Sequence, residues 1–128
     1  MILFIDTTDN DFVRIGLVRN SKFITKQWQT RKLSETLMLE IKKFLSRQKV
    51  NFQDIKRIVV VVGPGFFSRT RTGVATANAL AFALAIPVAG IKQNQIPKDP
   101  LKFNRLKYKN SVLPYYEKAP NITKPKRR

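Results

Sequence analysis

The sequence predicts an α/β protein built on one mixed sheet, and three observations lead to this prediction. Apolar and polar residues alternate in residues 11–18 and 23–29, which is typical of half-buried strands. The run "RIVVVV" (57–62) shows no alternation, as expected of a central strand covered on both faces. Two segments with a helical pattern, residues 34–48 and 70–85, are interspersed with the later strands. The order βββαβαβ therefore predicts a meander at one side of the sheet and two parallel strands added through right-handed helical crossovers.

The first three strands follow one another closely along the chain. "ILFID" (2–6) is an apolar run that stops at "TTDN", and the next strand has Val13, Ile15 and Leu17 on one face. The turn "RNSK" joins that strand to "FITKQWQ" (23–29). Tight turns between short strands predict antiparallel pairing.

The first helix, "SETLMLEIKKFLSRQ" (34–48), has an apolar stripe on one side and basic residues on the other. Ser34 is its expected N-cap, and Met38 lies beside the stripe. The second helix, "TRTGVATANALAFALA" (70–85), is apolar almost all round and rich in alanine, and "IPVAGI" (86–91) is the last strand. The first helix, whose apolar surface Leu39 widens, has more of it than one sheet face usually needs. This surface suits a partner protein, although plain packing in the core is the simpler explanation. The stripe of the first helix consists of Leu37, Ile41, Phe44 and Leu45.

The composition excludes several classes of chemistry. The chain has 128 residues, which suits one domain, and it contains no Cys and no His. These absences exclude disulfides, Ser-His-Asp and Cys-His catalysis, and imidazole metal ligands. No secretory leader is recognisable, and the charge-free stretch from Thr72 to Ile91 is interrupted by polar residues and by Pro87. We therefore expect a cytoplasmic protein without a membrane span.

The net charge of +17 favours polyanionic partners, although a solvated basic surface is the simpler explanation. Residues 98–128 contain ten Lys and Arg against two acidic residues, and prolines and basic clusters interrupt any periodic pattern there. We expect a lobe at residues 1–97 and an extended or partly disordered tail at residues 98–128, with residues 111–118 able to dock on the lobe. The candidates for RNA contact are Arg69, Lys102, Arg105, Lys107, Lys109, Lys126, Arg127 and Arg128.

The corner "VVGPGFFSRTRTG" (61–73) permits two interpretations. A glycine turn between a strand and a helix can surround a phosphate with backbone N–H groups, but this turn lacks the lysine of a P-loop. In the structural interpretation the glycines only provide special backbone angles and close packing. The residues that form this structural turn or vestigial phosphate loop are Asp6, Thr7, Thr8, Gly63, Pro64, Gly65, Arg71 and Gly73.

Longer motifs place these features in a known family. "ILFIDTT" followed by "GPGFFSRTRTGVATANALAFALAIPVAGI" resembles the TsaB family over residues 1–91, and the tail "VLPYYEKAPNITKPKRR" is similar to the family's C-terminal ending. The resemblance implies a single actin-like ATPase (ribonuclease H-like) lobe with a five-stranded sheet of order 3-2-1-4-5. It also implies that most of the second lobe of the family is missing from this chain.

The same resemblance implies a non-catalytic paralogue of TsaD that assists in making threonylcarbamoyladenosine in tRNA. It implies TsaD as a direct partner, TsaE and tRNA as partners through the complex, and a homodimer where TsaD is absent. No catalytic residue, metal or cofactor is expected, because one lobe offers only half a nucleotide cleft; a nucleotide is expected only at an interface shared with a partner. The expected partner contacts on the two helices are Leu37, Met38, Ile41, Phe44, Leu45, Val74, Ala77, Asn78 and Ala81.

Two other functions stay open at this point. One is a stand-alone RNA-binding protein on a degenerate lobe, suggested by the charge and by tail aromatics such as Phe103 and Tyr108 that can stack on bases. The other is a peptidase, as the wider family has been described, but the absence of His and Cys argues against it.

Overall fold

The computed structural model describes residues 1–115 and contains a single five-stranded sheet. The strands lie in the order β3-β2-β1-β4-β5; β1 is antiparallel to β2 and parallel to β4, and β4 is parallel to β5. The predicted mixed sheet of order 3-2-1-4-5 is therefore confirmed. The strands are β1 (Ile2–Asp6), β2 (Phe12–Arg19), β3 (Lys22–Gln29), β4 (Arg57–Gly63) and β5 (Val88–Lys92).

Two helices, α1 (Leu33–Arg47) and α2 (Phe67–Leu84), cover one face of the sheet. The prediction that Ser34 caps the first helix is wrong: α1 begins one residue earlier, and Lys32 occupies the N-cap position without a side-chain hydrogen bond. Helix α2 is followed by Ala85, its C-cap residue, whose backbone is left-handed. Within residues 1–115, no helix combines the length and apolarity that crossing a bilayer requires.

The larger core lies between the helices and the sheet. Side chains of β1, β2 and β4 such as Leu3, Ile15 and Val60 are fully buried there. Helix α1 contributes its apolar stripe, and α2 contributes small residues that let it approach the sheet closely.

The opposite face of the sheet is covered by the C-terminal segment. A 3-10 turn at Pro100–Arg105 inserts Phe103, which is fully buried, against Phe4 and Phe23 with ring centroids 6.1 and 5.1 Å away. The Tyr108 hydroxyl donates a hydrogen bond to the Phe103 carbonyl oxygen (2.6 Å), and burial raises the pKa of Tyr108 to about 12. This turn departs from the extended chain expected for residues 98–128, because Asp99 caps it by accepting a hydrogen bond from the Leu101 N–H (3.0 Å).

The segment after this turn lies along β5 and α2. Lys109 and Val88 exchange two backbone hydrogen bonds of 2.8 Å. The Asn78 side chain pairs with the backbone of Val112 through bonds of 2.9 and 3.0 Å, and the Tyr115 N–H donates to a carbonyl of β4 (2.7 Å). Residues 111–115 of the segment predicted to dock thus contact the lobe, whereas residues 116–118 lie outside the described part. The domain boundary at residue 97 stays a prediction.

Helix α2 passes closest to the turn after β1 at Gly73. A Cβ at this position would overlap the Thr7 side chain. Thr7 is fully buried, and its hydroxyl donates to the Arg69 carbonyl oxygen (2.7 Å). The absence of a side chain at Gly73 therefore permits the contact between α2 and this turn.

Replacing Phe103 tests whether the C-terminal segment is part of the folded lobe. We expect Phe103→Ala to lower the free energy of unfolding by about 3–5 kcal/mol, the range for deleting a buried aromatic ring. Urea denaturation followed by circular dichroism measures the change. Leu101→Ala is the control, because Leu101 lies in the same turn but is 54% exposed. Equal, small effects of both substitutions would contradict the packing described here.

A second substitution tests the contact at Gly73. In most helices Gly→Ala stabilises by about 1 kcal/mol. Here overlap with Thr7 should reverse the sign, so that Gly73→Ala lowers the free energy of unfolding by roughly 1–3 kcal/mol. The double variant Thr7→Ala/Gly73→Ala should be more stable than the sum of the single effects predicts. A stabilising Gly73→Ala would refute the close approach.

Candidate functional site

The Gly-Pro-Gly corner is docked on the turn that follows β1. Gly63 has a φ of 133°, which favours glycine. The Phe66 N–H donates a hydrogen bond to the Thr8 carbonyl oxygen (2.9 Å), and a Cβ on Gly65 would overlap the Thr8 backbone. The corner is thus held by backbone contacts to Thr8, a residue that the phosphate-loop interpretation would place against a bound phosphate.

The polar groups of this turn are already used within the protein. The Asp6 carboxylate accepts hydrogen bonds from the Thr8 N–H (3.0 Å) and hydroxyl (2.6 Å), and it lies 4.0 Å from the Arg14 guanidinium. The Gln93 amide donates to the Thr8 hydroxyl (2.7 Å), and both Thr7 and Thr8 are buried. The Thr7 hydroxyl and the Thr8 N–H and hydroxyl already donate within the protein, so they are not free to bind a phosphate in this conformation. These bonds favour a structural role for the turn over a phosphate loop.

The neighbouring charged residues also stabilise the corner. Arg69 donates hydrogen bonds to the carbonyl oxygens of Asp9 (2.8 Å) and Thr30 (3.0 Å), so this predicted RNA contact instead ties α2 to two loops. Hydrogen bonds from the Phe12 and Asp11 backbone N–H groups hold the pKa of Asp9 below its usual value. Arg71 is exposed, with its guanidinium carbon 5.2 Å from the centre of the Phe67 ring. Within residues 1–115, no group of three or more His, Cys, Asp or Glu residues forms a metal-ion site.

Most of the residues predicted to contact a partner lie in the core instead. They form the helical stripes that cover the sheet, and each is at most 3% exposed, so a partner cannot reach them in this conformation. Of the others, Met38 is 45% exposed, whereas Asn78 is half-buried and bonded to Val112. The buried residues are Leu37, Ile41, Phe44, Leu45, Val74, Ala77 and Ala81.

A different apolar surface is open to solvent on the outer side of the two helices. It surrounds a groove of about 410 Å³ between α1 and α2. Phe82 follows Ala79 by three residues and Ala75 by seven, so it lies on the same side of α2, and it is 88% exposed. We call this surface the outer helical face; it consists of Met38, Ala75, Thr76, Ala79, Phe82 and Ala83, and the buried Leu80 also lines its groove.

Sequence reasoning identified only Met38 of this face, although a signal for Phe82 was present. In an alanine-rich helix that is apolar all round, one stripe faces the sheet, and a large aromatic residue on the other stripe must face solvent or a partner. Of the remaining predicted RNA contacts, Lys102, Arg105, Lys107 and Lys109 are exposed on the C-terminal segment. Lys126, Arg127 and Arg128 lie outside the described residues.

Comparisons with known proteins agree with this architecture. The family model described as "TsaD: tRNA N6-adenosine threonylcarbamoyltransferase" matches residues 24–96, more than half of the chain. The tRNA N6-adenosine threonylcarbamoyltransferase of Clostridioides difficile (strain 630) is 31% identical over 86 residues, which are 67% of this chain and 25% of the relative. The tRNA threonylcarbamoyladenosine biosynthesis protein TsaB of Bacillus subtilis (strain 168) is 33% identical over 92 residues, 70% of this chain and 40% of the relative.

A solved structure, YeaZ from Pseudomonas aeruginosa, superposes with a TM-score of 0.66 at 23% identity over 71% of this chain and 43% of that protein. The chain therefore spans less than half the length of these relatives. From the family match, the strand order and the motifs at the β1 turn and the glycine corner, the chain belongs to the family of TsaD and TsaB proteins and is TsaB-like.

Proposed function

We propose that this chain is a non-catalytic scaffold subunit of the machinery that makes threonylcarbamoyladenosine in tRNA, and that it binds a TsaD-type enzyme through the outer helical face. The observation that supports this most directly is the almost complete exposure of Phe82 beside an apolar groove. The names of the relatives supply the process in which such a subunit would act.

The chemistry of the outer helical face suits a helical partner. Ala75, Ala79 and Ala83 have small side chains that let another helix approach closely, and the groove beside Met38 can accept a larger side chain from it. Phe82 is an aromatic residue of the kind that anchors interfaces. Lys42 and Lys43 are exposed on α1 and would form a polar rim, so we expect acidic residues on the partner.

In this proposal the partner supplies the chemistry. The sequence contains no His or Cys for nucleophilic or proton-transfer catalysis, and the Asp6 carboxylate is engaged by Thr8 and Arg14. No cofactor is assigned to this chain alone. TsaE and tRNA would join through the assembled complex.

The first test replaces the anchor of the face. We expect Phe82→Asp to raise the Kd for the cognate TsaD-type enzyme by roughly 30-fold or more, equivalent to about 2 kcal/mol, because an interface hot spot is lost and a charge is buried without a partner. Isothermal titration calorimetry measures the affinity. Leu113→Asp is the matched control, because Leu113 is 83% exposed and lies outside the face. Both variants should retain the melting temperature of the unchanged chain.

The proposal fails if the unchanged chain forms no complex with the enzyme at micromolar concentration. It also fails if Phe82→Asp and Leu113→Asp bind as tightly as the unchanged chain, since the contact would then lie elsewhere.

A second test concerns self-association through the same face. With no partner present, we expect two copies to cover their outer helical faces mutually, because exposed apolar patches of this kind commonly pair. Light scattering should give twice the mass of one chain, Phe82→Asp should give a monomer, and added TsaD-type enzyme should replace the homodimer by a heterocomplex. A dimer that persists in Phe82→Asp would show that another surface pairs.

A further inference from the structure

Positive charge is concentrated at the end of the sheet where its parallel strands begin. Ile2 of β1 pairs there with Arg57 of β4, and Val18 of β2 lies beside Ile2. The turn between β2 and β3 therefore reaches this end. So does the end of α1, because the Arg19 guanidinium donates a hydrogen bond to the Gln48 carbonyl oxygen (2.8 Å).

The C-terminal segment adds further basic residues to the same end. The Arg57 guanidinium donates to the Asn104 side-chain oxygen (2.9 Å) and lies 5.1 Å from the centre of the Tyr108 ring. Lys109 pairs with Val88, the first residue of β5. Lys107 and Lys109 also line a groove of about 530 Å³ beside β5. We call this surface the basic end; its exposed basic residues are Lys22, Lys49, Lys56, Arg105, Lys107 and Lys109.

These charges have no acidic partner within residues 1–115. The two ion pairs of the described residues, Arg14–Asp6 and Lys26–Glu40, involve none of them. Asp54 lies near the basic end, but its carboxylate accepts the Asn51 N–H (2.9 Å) and caps a 3-10 turn. Three other acidic residues lie at the opposite end of the sheet: Asp6 is the last residue of β1, and Asp9 and Asp11 follow it.

We propose that the basic end binds the phosphate backbone of a nucleic acid. Lys and Arg side chains from several elements match a string of phosphates, and the release of condensed counterions would provide the affinity. If the proposed function holds, the nucleic acid that supplies these phosphates is RNA. The contact with phosphate itself does not depend on a TsaD partner. Because backbone contacts carry no sequence information, we expect binding to be independent of sequence.

The test uses the full chain with fluorescein-labelled RNA and DNA hairpins of equal length, followed by anisotropy between roughly 50 and 200 mM KCl, the range in which phosphate contacts change affinity most visibly. One quadruple variant removes four charges of the basic end: Lys56→Gln, Arg105→Gln, Lys107→Gln and Lys109→Gln. The matched control removes four exposed charges elsewhere: Arg31→Gln, Lys32→Gln, Lys42→Gln and Lys43→Gln.

We expect the unchanged chain to bind the RNA hairpin, and the basic-end variant to bind at least tenfold more weakly at about 100 mM salt, with a slope of log K against log salt reduced by about 3. The control variant should change the affinity less than threefold. Tighter binding of RNA than DNA, or equal binding of both, supports the backbone contact.

Three results would overturn this assignment. Equal weakening by both quadruple variants would show that overall charge alone is responsible. Absence of binding at about 50 mM salt would exclude the contact. Binding to anionic phosphatidylserine vesicles but to neither hairpin would assign the surface to membranes. The basic-end variant should still bind the TsaD-type enzyme, and Phe82→Ala, which adds no negative charge, should still bind RNA, so failure of one proposal is distinguishable from failure of the other.

Discussion

The structure depends on one constraint: the central strands are apolar on both faces, and both faces must be removed from water. Val59 and Val60 of β4 are neighbours in sequence, point to opposite faces, and are both fully buried. Two helices cover one face, as the βαβ connections require. On the other face the described chain supplies only the segment anchored by Phe103, whose ring fills the space above Phe4 and Phe23. This segment therefore keeps the second face of the sheet out of water.

Covering the sheet also determines which helical surface remains available. The inner stripes of α1 and α2 are used by the core, and Asn78 on the flank of α2 is used to hold the backbone of Val112. The outer side has no such role, yet it contains Phe82 and Met38. Burying an aromatic side chain of this size contributes about 1.5–3 kcal/mol. Because the Phe82 ring is exposed in the folded chain, this free energy would be gained only when another molecule covers the ring.

The sequence predicted the architecture well because alternation and apolar runs report directly on strands, and the unbroken valines of β4 indicated its central position. It predicted poorly which helical residues are accessible to a partner, and the reason is physical. Periodicity identifies Leu37 and Ile41 as apolar, but it does not say which of two apolar stripes faces the sheet, since that depends on tertiary packing. The turn around Phe103 was missed because one aromatic residue among prolines and lysines has no period. The glycine corner stayed ambiguous until the bonds of Thr7 and Thr8 were known.

Ligands of open α/β sheets usually bind where the parallel strands end. In this chain the polar groups of Asp6, Thr7 and Thr8 at that end are engaged by internal hydrogen bonds. The outer helical face and the basic end lie elsewhere: α2 runs towards the start of β5, so Phe82, near the last residue of α2, lies at the same end of the sheet as the basic end. A partner on the outer helical face and a nucleic acid at the basic end would therefore be neighbours. Taken together, the two proposals have this lobe act by holding an enzyme and a nucleic acid side by side.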